Sequence, residues 1–348
     1  MNFHRGVLDL HAEAEISRIQ TGIQQQVYQV LNKHGAVIAL SGGIDSSVTA
    51  SLAVGALGRE RVLGLSLPEK DSRSTTCDLG KLLADHLQIN LIREDITPAL
   101  EAFGCYGKRD AAVKKLFPEY HSGYKMKIVM PQDLLNTGRL NFFRLVIEDP
   151  RGNQQSRRIP PGEFLEIVAA TNHKQRTRKQ YEYYYADKMN YAVLGTPNRL
   201  EYDQGFFVKG GDGLADLKPI AHLYKSQVYQ LAGQLGIPDM ILDQKPTTDT
   251  YNLSQTQEEF FFALPYEEMD LFLWALNHAV PTSEVASVMG YSTHQVEWVF
   301  ADIRHKRKVA GYLHAPPLLI EDIRDGQLNH VQSNSIIESS LEEKNENY

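Results

Sequence analysis

Cysteine is nearly absent. Cys77 and Cys105 are the only two in 348 residues, far apart and without a CxxC. That excludes a disulfide framework and a cysteine-rich zinc site, and it suits a reducing cytoplasm. Long apolar runs are missing as well. No uninterrupted stretch approaches the roughly 20 residues of a membrane helix, and the opening MNFHRGVLDLHAEAE is no signal peptide. Positive charge is not in excess: a net charge of −7 argues against a general nucleic-acid coat, although local basic clusters occur. No internal repeat is visible. With 42% hydrophobic and 23% charged residues, the composition is that of a soluble globular protein, expected in the cytoplasm. The length allows one large or two modest domains.

The most informative stretch is AVIALSGGIDSSVTA, residues 36–50. An apolar run from Ala36 to Leu40 enters Ser41-Gly42-Gly43-Ile44-Asp45-Ser46-Ser47 and then helix-forming residues. This predicts a strand, a glycine turn and a helix whose first amides lack intrahelical partners, which makes an anion site. Two glycines let the backbone wrap phosphate oxygens closely. No lysine follows them, so this is not the G-x-x-x-x-G-K-[ST] loop. An ordinary turn capped by Asp45 or Ser46 is the plainer alternative.

Helical spacing marks residues 8–33, then a strand at 36–40, a helix from Asp45 to Leu57 and a strand at Arg61–Leu67. A helix over Thr75–Leu87 and a strand at Ile89–Ile92 follow. Such alternation predicts an α/β fold with a doubly wound parallel sheet, ligands binding beyond the carboxyl ends of its strands. Residues 104–165 break the pattern. Extended segments at Lys125–Met130 and Phe142–Glu148, with a turn at Asp149–Gly152 before Gln154–Ile159, predict an inserted β-hairpin with flanking loops. A long helix over Pro161–Asn190 and a strand at Tyr191–Leu194 restore the pattern. Two or three short helices are expected over Val280–Val309. The VASVMGYSTHQVEWVF run there could suggest a DNA-reading helix-turn-helix, but Glu284 and Glu297 flank it and favour a helical cap on the sheet. Residues 1–325 read as one domain, and 326–348 as a flexible polar tail.

Three further stretches bear chemistry. In Asn172-His173-Lys174-Gln175-Arg176-Thr177-Arg178, the arginines are permanent charged forks for phosphate, or else a solvated helix face. Val193–Glu201, VLGTPNRLE, is a buried strand with polar groups at its tip, placing Thr196 and Glu201 beside the first loop if the strands are neighbours. Asp45 and Glu201 could then supply oxygens to one Mg2+ bridging ATP phosphates. Gly205–Asp216, GFFVKGGDGLAD, concentrates Lys209, Asp212 and Asp216 on a glycine-rich loop that could equally be a plain surface turn. RHKRK at 304–308 could be a localisation signal or an RNA patch, but its place after the last helix pattern favours a phosphate lid.

SGGIDSS resembles the SGGxDS loop of the N-type ATP pyrophosphatases, which grip the pyrophosphate of ATP and release AMP. The missing cysteine pair disfavours the sulfur-transferring relatives of that loop. The ordered set SGGIDSS, NHKQRTR, LGTPNRLE, GFFVKGGDGLADLKPI, KSQVYQLAGQLGIP, KPTTD, LPYEEMD and HKR is similar to the NAD synthetases over about residues 8–310, the insertion at 104–165 apart. The resemblance implies an adenine nucleotide alpha-hydrolase-like, Rossmann-like fold. It implies that ATP activates the carboxylate of deamido-NAD as an acyl-adenylate and that ammonia displaces AMP. Ser41, Gly42, Gly43, Asp45, Ser46 and Ser47 would then hold the ATP phosphates, with Asp45 and Glu201 on Mg2+. Thr196 would touch ATP, and Arg176 would face its base or phosphates. Asn172, Arg178, Phe206, Lys209, Asp212 and Asp216 would line the dinucleotide site, and His305 and Lys306 would close over it. Lys209 and Asp212 would join Asp45 in catalysis, Asp212 or Asp216 taking a proton from ammonium. The resemblance also implies a homodimer. Without a glutaminase context, it implies free ammonia or a separate glutaminase partner.

The chain departs from that pattern in places. Gly210 stands where the family usually has a tyrosine, PTADL appears as Pro246–Thr250, and the acidic run before LPYEEMD ends in three phenylalanines and Ala263. The insertion brings Arg139, Arg144, Arg151, Arg157 and Arg158, a solvated hairpin or a recognition element for another acid. A diverged amide-forming ligase acting on a different carboxylic acid is therefore the alternative expectation. A non-catalytic nucleotide-binding protein is a third, against which the Asp45 and Glu201 pair argues.

Overall fold

In the computed structural model the described residues are 3–130, 143–244, 246–247, 250–262 and 264–321. Helix α1 (Ala12–Gln24) runs through a π turn at Gln25–Val30 toward β1 (Ala36–Ala39). Then come α2 (Ile44–Leu57), β2 (Val62–Ser66), α3 (Ser74–Leu87), β3 (Asn90–Arg93) and α4 (Thr97–Ala102). The insertion comprises α5 (Cys105–Leu116), β4 (Lys125–Val129), β5 (Arg144–Glu148) and β6 (Gln154–Arg158). Helix α6 (Pro161–Met189) leads out of it to β7 (Ala192–Val193) and α7 (Arg199–Gln204). Helices α8 (Lys225–Gln234), α9 (Asp239–Leu242), α10 (Tyr266–Asn277), α11 (Thr282–Met289) and α12 (Thr293–His314) complete the order.

Strands β3-β2-β1-β7 form the expected parallel sheet, with Val37 opposite Leu63 on one side and Val193 on the other. The two-residue period of a strand sends neighbours to opposite faces. Ile38 joins Ile23, Val48 and Leu52 under α1 and α2, whereas Val37 joins Leu65, Ile96 and Tyr185 under α4 and α6. Both faces are covered, and the βα turns lie at the carboxyl ends of the strands. Ile38 is fully buried, so truncating it to Ala would cost about 2–5 kcal/mol.

Two expectations need correction. The insertion is not a hairpin with loops but a three-stranded antiparallel sheet, β4-β5-β6, preceded by a helix. Its core holds Val113, Phe117, Met126, Ile128, Leu145 and Ile147. Helix α5 was not expected because five charged residues and a glycine interrupt its apolar spacing, yet it packs along α6 and buries Arg109 on Asp71. The C-terminal helices are also not all short, since α12 runs unbroken for 22 residues. It packs with α10 and α11 through Val296, Val299, Phe300 and Ile303 rather than reading DNA. Contacts gather Met1–His314 into one unit. Residues 315–321, taken by themselves, form no helix or strand, and the expected tail lies outside the described residues.

Candidate active site

Beyond Leu40 the chain turns through Gly42, whose φ of +72° suits glycine. A Cβ there would stand 2.7 Å from the Leu79 Cβ on α3. Gly43 caps α2 without any side-chain bond to the first amides. The serine hydroxyls turn the other way. Ser46 and Ser47 each donate to the Gly43 carbonyl at 2.9 Å, shaping the loop and leaving the amide end of the helix to a ligand. Ser41 Oγ lies 3.2 Å from Ser46 Oγ.

Asp45 in the first turn of α2 meets two other helix starts. Its Oδ1 accepts from Asn198 Nδ2 at 3.0 Å, and its Oδ2 pairs with the Lys225 ammonium. Asn198 caps α7 in a reciprocal capping box with Glu201, its backbone N–H donating to Glu201 Oε2 at 3.2 Å. Gln257 Nε2 donates to the other carboxylate oxygen at 3.0 Å. Glu201 and Asp45 are thus side by side, as the strand order requires. Burial, reinforced by the Asp45 charge, pushes the Glu201 carboxyl up to about 8. Lys225 opens α8 and is 2% exposed. Burial pulls its ammonium down, but Asp45 and Glu201 outweigh that and hold it above its usual range.

The loop floors one end of a cavity of about 730 Å³. Arg176 Nε reaches across α6 to the Lys209 carbonyl at 3.2 Å, and Arg178 Nε to the Leu67 carbonyl at 3.2 Å. Lys209 Nζ donates to the Tyr312 carbonyl at 2.8 Å. Asp212 Oδ1 accepts from the Val208 N–H at 2.7 Å, and burial raises its pKa. Asn172, Thr196 and Phe206 share the wall. Among the described wall residues, Arg73, Lys174, Arg176, Arg178, Lys179, Lys209 and Lys225 outnumber Asp45, Glu182, Glu201 and Asp212. In a chain of net charge −7, that is an electropositive cleft suited to a polyanion. Phe143, Phe164, Phe206, Phe260 and Phe261 give the same cavity an aromatic lining. Among the described residues, the insertion borders supply phenylalanines to it and no arginine. Arg144 is spent on Ser156 and Arg157 on the Phe117 ring, while Arg139 lies outside the described residues.

Four expected site residues lie off the wall. Ser47 is fully buried behind the loop. Asp216 turns under the sheet edge, accepting from the Val193 N–H at 2.8 Å and the Tyr183 hydroxyl at 3.0 Å. Lys306 is inside α12, paired with Asp302 at 2.6 Å and 4.8 Å from the Phe261 ring centre. His305 is exposed on the opposite side of that helix. Lys225, Lys179 and Glu182 belong to the wall and were not singled out in the sequence. Lys225 opens the quoted KSQVYQ run, where only its position just before the helix marks it.

Asp45 and Glu201 fit a divalent cation chemically, being two neighbouring carboxylates that share Asn198 as a partner, one of which already holds the Lys225 ammonium. Among the described residues no third His, Cys, Asp or Glu converges there, so phosphate and water would complete the shell, as is usual for Mg2+.

The pattern common to the NAD synthase family matches residues 15–120 and 148–310. An NH(3)-dependent NAD(+) synthetase of Rhizobium meliloti is 52% identical over 93% of this chain and 96% of that protein. Among solved structures, the NH3-dependent NAD synthetase of Campylobacter jejuni covers 90% of this chain and all of its own, with TM-score 0.59 and 20% identity, a likeness of fold. The NMN synthetase of Francisella tularensis covers 86% of this chain and 97% of its own, with TM-score 0.56 and 25% identity. A parallel sheet, a glycine loop at its carboxyl edge and identity sustained over most of both chains lead to one conclusion: the chain belongs to the NAD synthase family.

Proposed function

We propose that the protein is an ammonia-dependent NAD synthetase, converting deamido-NAD, ATP and ammonia to NAD, AMP and diphosphate. The observation that carries this is a single cavity lined by both the α2 amide loop and five phenylalanines, in a chain 52% identical to an NH(3)-dependent NAD(+) synthetase. The loop amides, that of Ser46 among them, and the Ser41 hydroxyl bind the β- and γ-phosphates, and Lys225 and Lys209 neutralise the charge that grows as diphosphate leaves. A carboxylate oxygen of the acid attacks the α-phosphorus, and the α–β bridging bond breaks. Ammonia then attacks the acyl carbon, AMP leaves, and Asp212 takes the proton that ammonium sheds. Asp45 and Glu201 would hold Mg2+, which when bound neutralises phosphate charge. The phenylalanines orient the pyridine ring by stacking.

Free ammonia or a separate glutaminase supplies the nitrogen, the working form is a homodimer, and the protein acts in the cytoplasm. No described helix is long and apolar enough to cross a membrane. The deciding experiment gives purified protein ATP, Mg2+, ammonium and deamido-NAD, with the acid precursor of NMN as a parallel substrate. Equal amounts of AMP and NAD are expected. ATP binding without NAD formation would move the reading to another acid.

A further inference from the structure

The last turn of α12 reaches the cavity. Tyr312 and Leu313 stand on its wall, just past residue 310, where the family match ends. Lys209 meets Tyr312 twice: at the backbone carbonyl, and through its Nζ lying 4.4 Å from the centre of the ring. Tyr312 is 72% exposed as a residue, so burial does not fix its ring there. What attracts an ammonium to an exposed aromatic face is the ring quadrupole. Such a contact steadies the ammonium without using an N–H donor and without adding negative charge to a cleft built for polyanions. The turn itself is anchored independently. His314 Nε2 lies 2.8 Å from the Tyr202 carbonyl, and its ring packs on Tyr202 and Phe207 at 4.4 and 5.0 Å. A Cβ on Gly205 would stand 2.7 Å from the Ala310 Cβ, so the helix rests directly on the end of α7.

From this geometry we infer that Tyr312 is a positioning residue, its ring holding the Lys209 ammonium at the cavity mouth for the ATP phosphates. The inference rests on the proposed ATP site. Because the ring is exposed and the turn is held by His314 and Ala310, Tyr312→Ala leaves the fold intact. Equilibrium ATP binding, read by calorimetry, is compared for the parent protein, Y312A, Y312F, K209M and the K209M/Y312A double variant. Y312A weakens ATP about 2–5-fold, the scale of an exposed cation–π contact. Y312F restores parental binding, and Y312A adds no further loss once Lys209 is methionine. Parental affinity in Y312A, failure of Y312F to restore it, or an equal loss in both backgrounds would each overturn the inference. A parent protein that binds no ATP would instead bring down the ATP reading, and this inference with it.

Discussion

Asp45 and Lys225 are 180 positions apart in the chain and meet as a buried ion pair because two helix starts face each other. Glu201 lies beside them, so the trio is one anionic charge in excess when all are ionised. Asp45→Asn should abolish AMP formation while leaving the fold intact, because the amide keeps the shape of the carboxylate and its Oδ1 still accepts from Asn198 Nδ2. Circular dichroism and an AMP assay would show it, and retained AMP formation would refute the assigned role of Asp45. The raised Glu201 carboxyl also sets a pH dependence. Burial and the Asp45 charge favour its neutral form in the unliganded protein, whereas the proposed Mg2+ site would need it ionised. Affinity should therefore rise with pH from 6 to 8, by at most about tenfold per unit. Glu201→Gln should flatten that titration, and a flat parental titration would count against Glu201 as the ligand. Stability runs the opposite way. A carboxyl held above its ordinary 4.5 favours the unliganded fold at low pH, and its contribution fades as pH climbs through about 8.

At the scale of elements, the site depends on how α8 begins. Asp270, fully buried at the foot of α10, accepts from the Lys225 N–H at 3.2 Å and the Ser226 N–H at 2.7 Å. Burial outweighs those bonds and pushes its carboxyl up to about 6. Asp270→Ala should cost about 2 kcal/mol by stranding two amides, and should weaken ATP binding as Lys225 loses its place. Denaturant midpoint and ATP affinity would check this, and unaltered ATP binding would separate the cap from the site. Helix α6 carries a second such junction. Lys174, 1% exposed, pairs with Glu69 at 2.9 Å and Asp71 at 2.7 Å, and Arg109 from α5 closes on Asp71. Removing one member of a buried network leaves a charge without compensation, so Lys174→Met should destabilise by about 3–5 kcal/mol. An urea titration reads that directly, and a loss under 1 kcal/mol would show the network to be dispensable. Helix α6 runs without a break past Arg176, with Thr171, Lys174 and Thr177 buried along it.

On the scale of the whole molecule, the sheet was legible and the cavity only half so. Apolar runs such as AVIAL announce parallel strands locally, and SGGIDSS announces its anion site within seven residues. Lys225, Glu182 and Tyr312 could not be read that way, since each gains its meaning from an element met only after folding. The inserted segment was legible as extended chain, but the part played by Phe143 and Phe164 beside it was not: they line the cavity, while Arg144 and Arg157 engage Ser156 and the Phe117 ring. Phe164→Ala should accordingly raise KM for the carboxylic acid several-fold with KM for ATP unchanged, measured by varying one substrate at a time. Saturating Mg2+–ATP at about 100 times its Kd should stabilise the protein by about 2.7 kcal/mol, visible as a rise in Tm. No rise would count against the nucleotide site.

The contact of Gly205 with Ala310 carries a last consequence. Gly205, at φ +77°, ends the helix that bears Glu201, and Ala310 lies one turn before Leu313 on the cavity wall. The distance between the Glu201 carboxylate and Leu313 on the cavity wall is therefore set by two residues too small to keep the helices apart. A single added methyl at either position would act as a wedge. The span of the cavity wall is thus tuned at positions off that wall's chemistry, and under the proposed function a change there would alter acid selectivity while every contact residue stays unchanged.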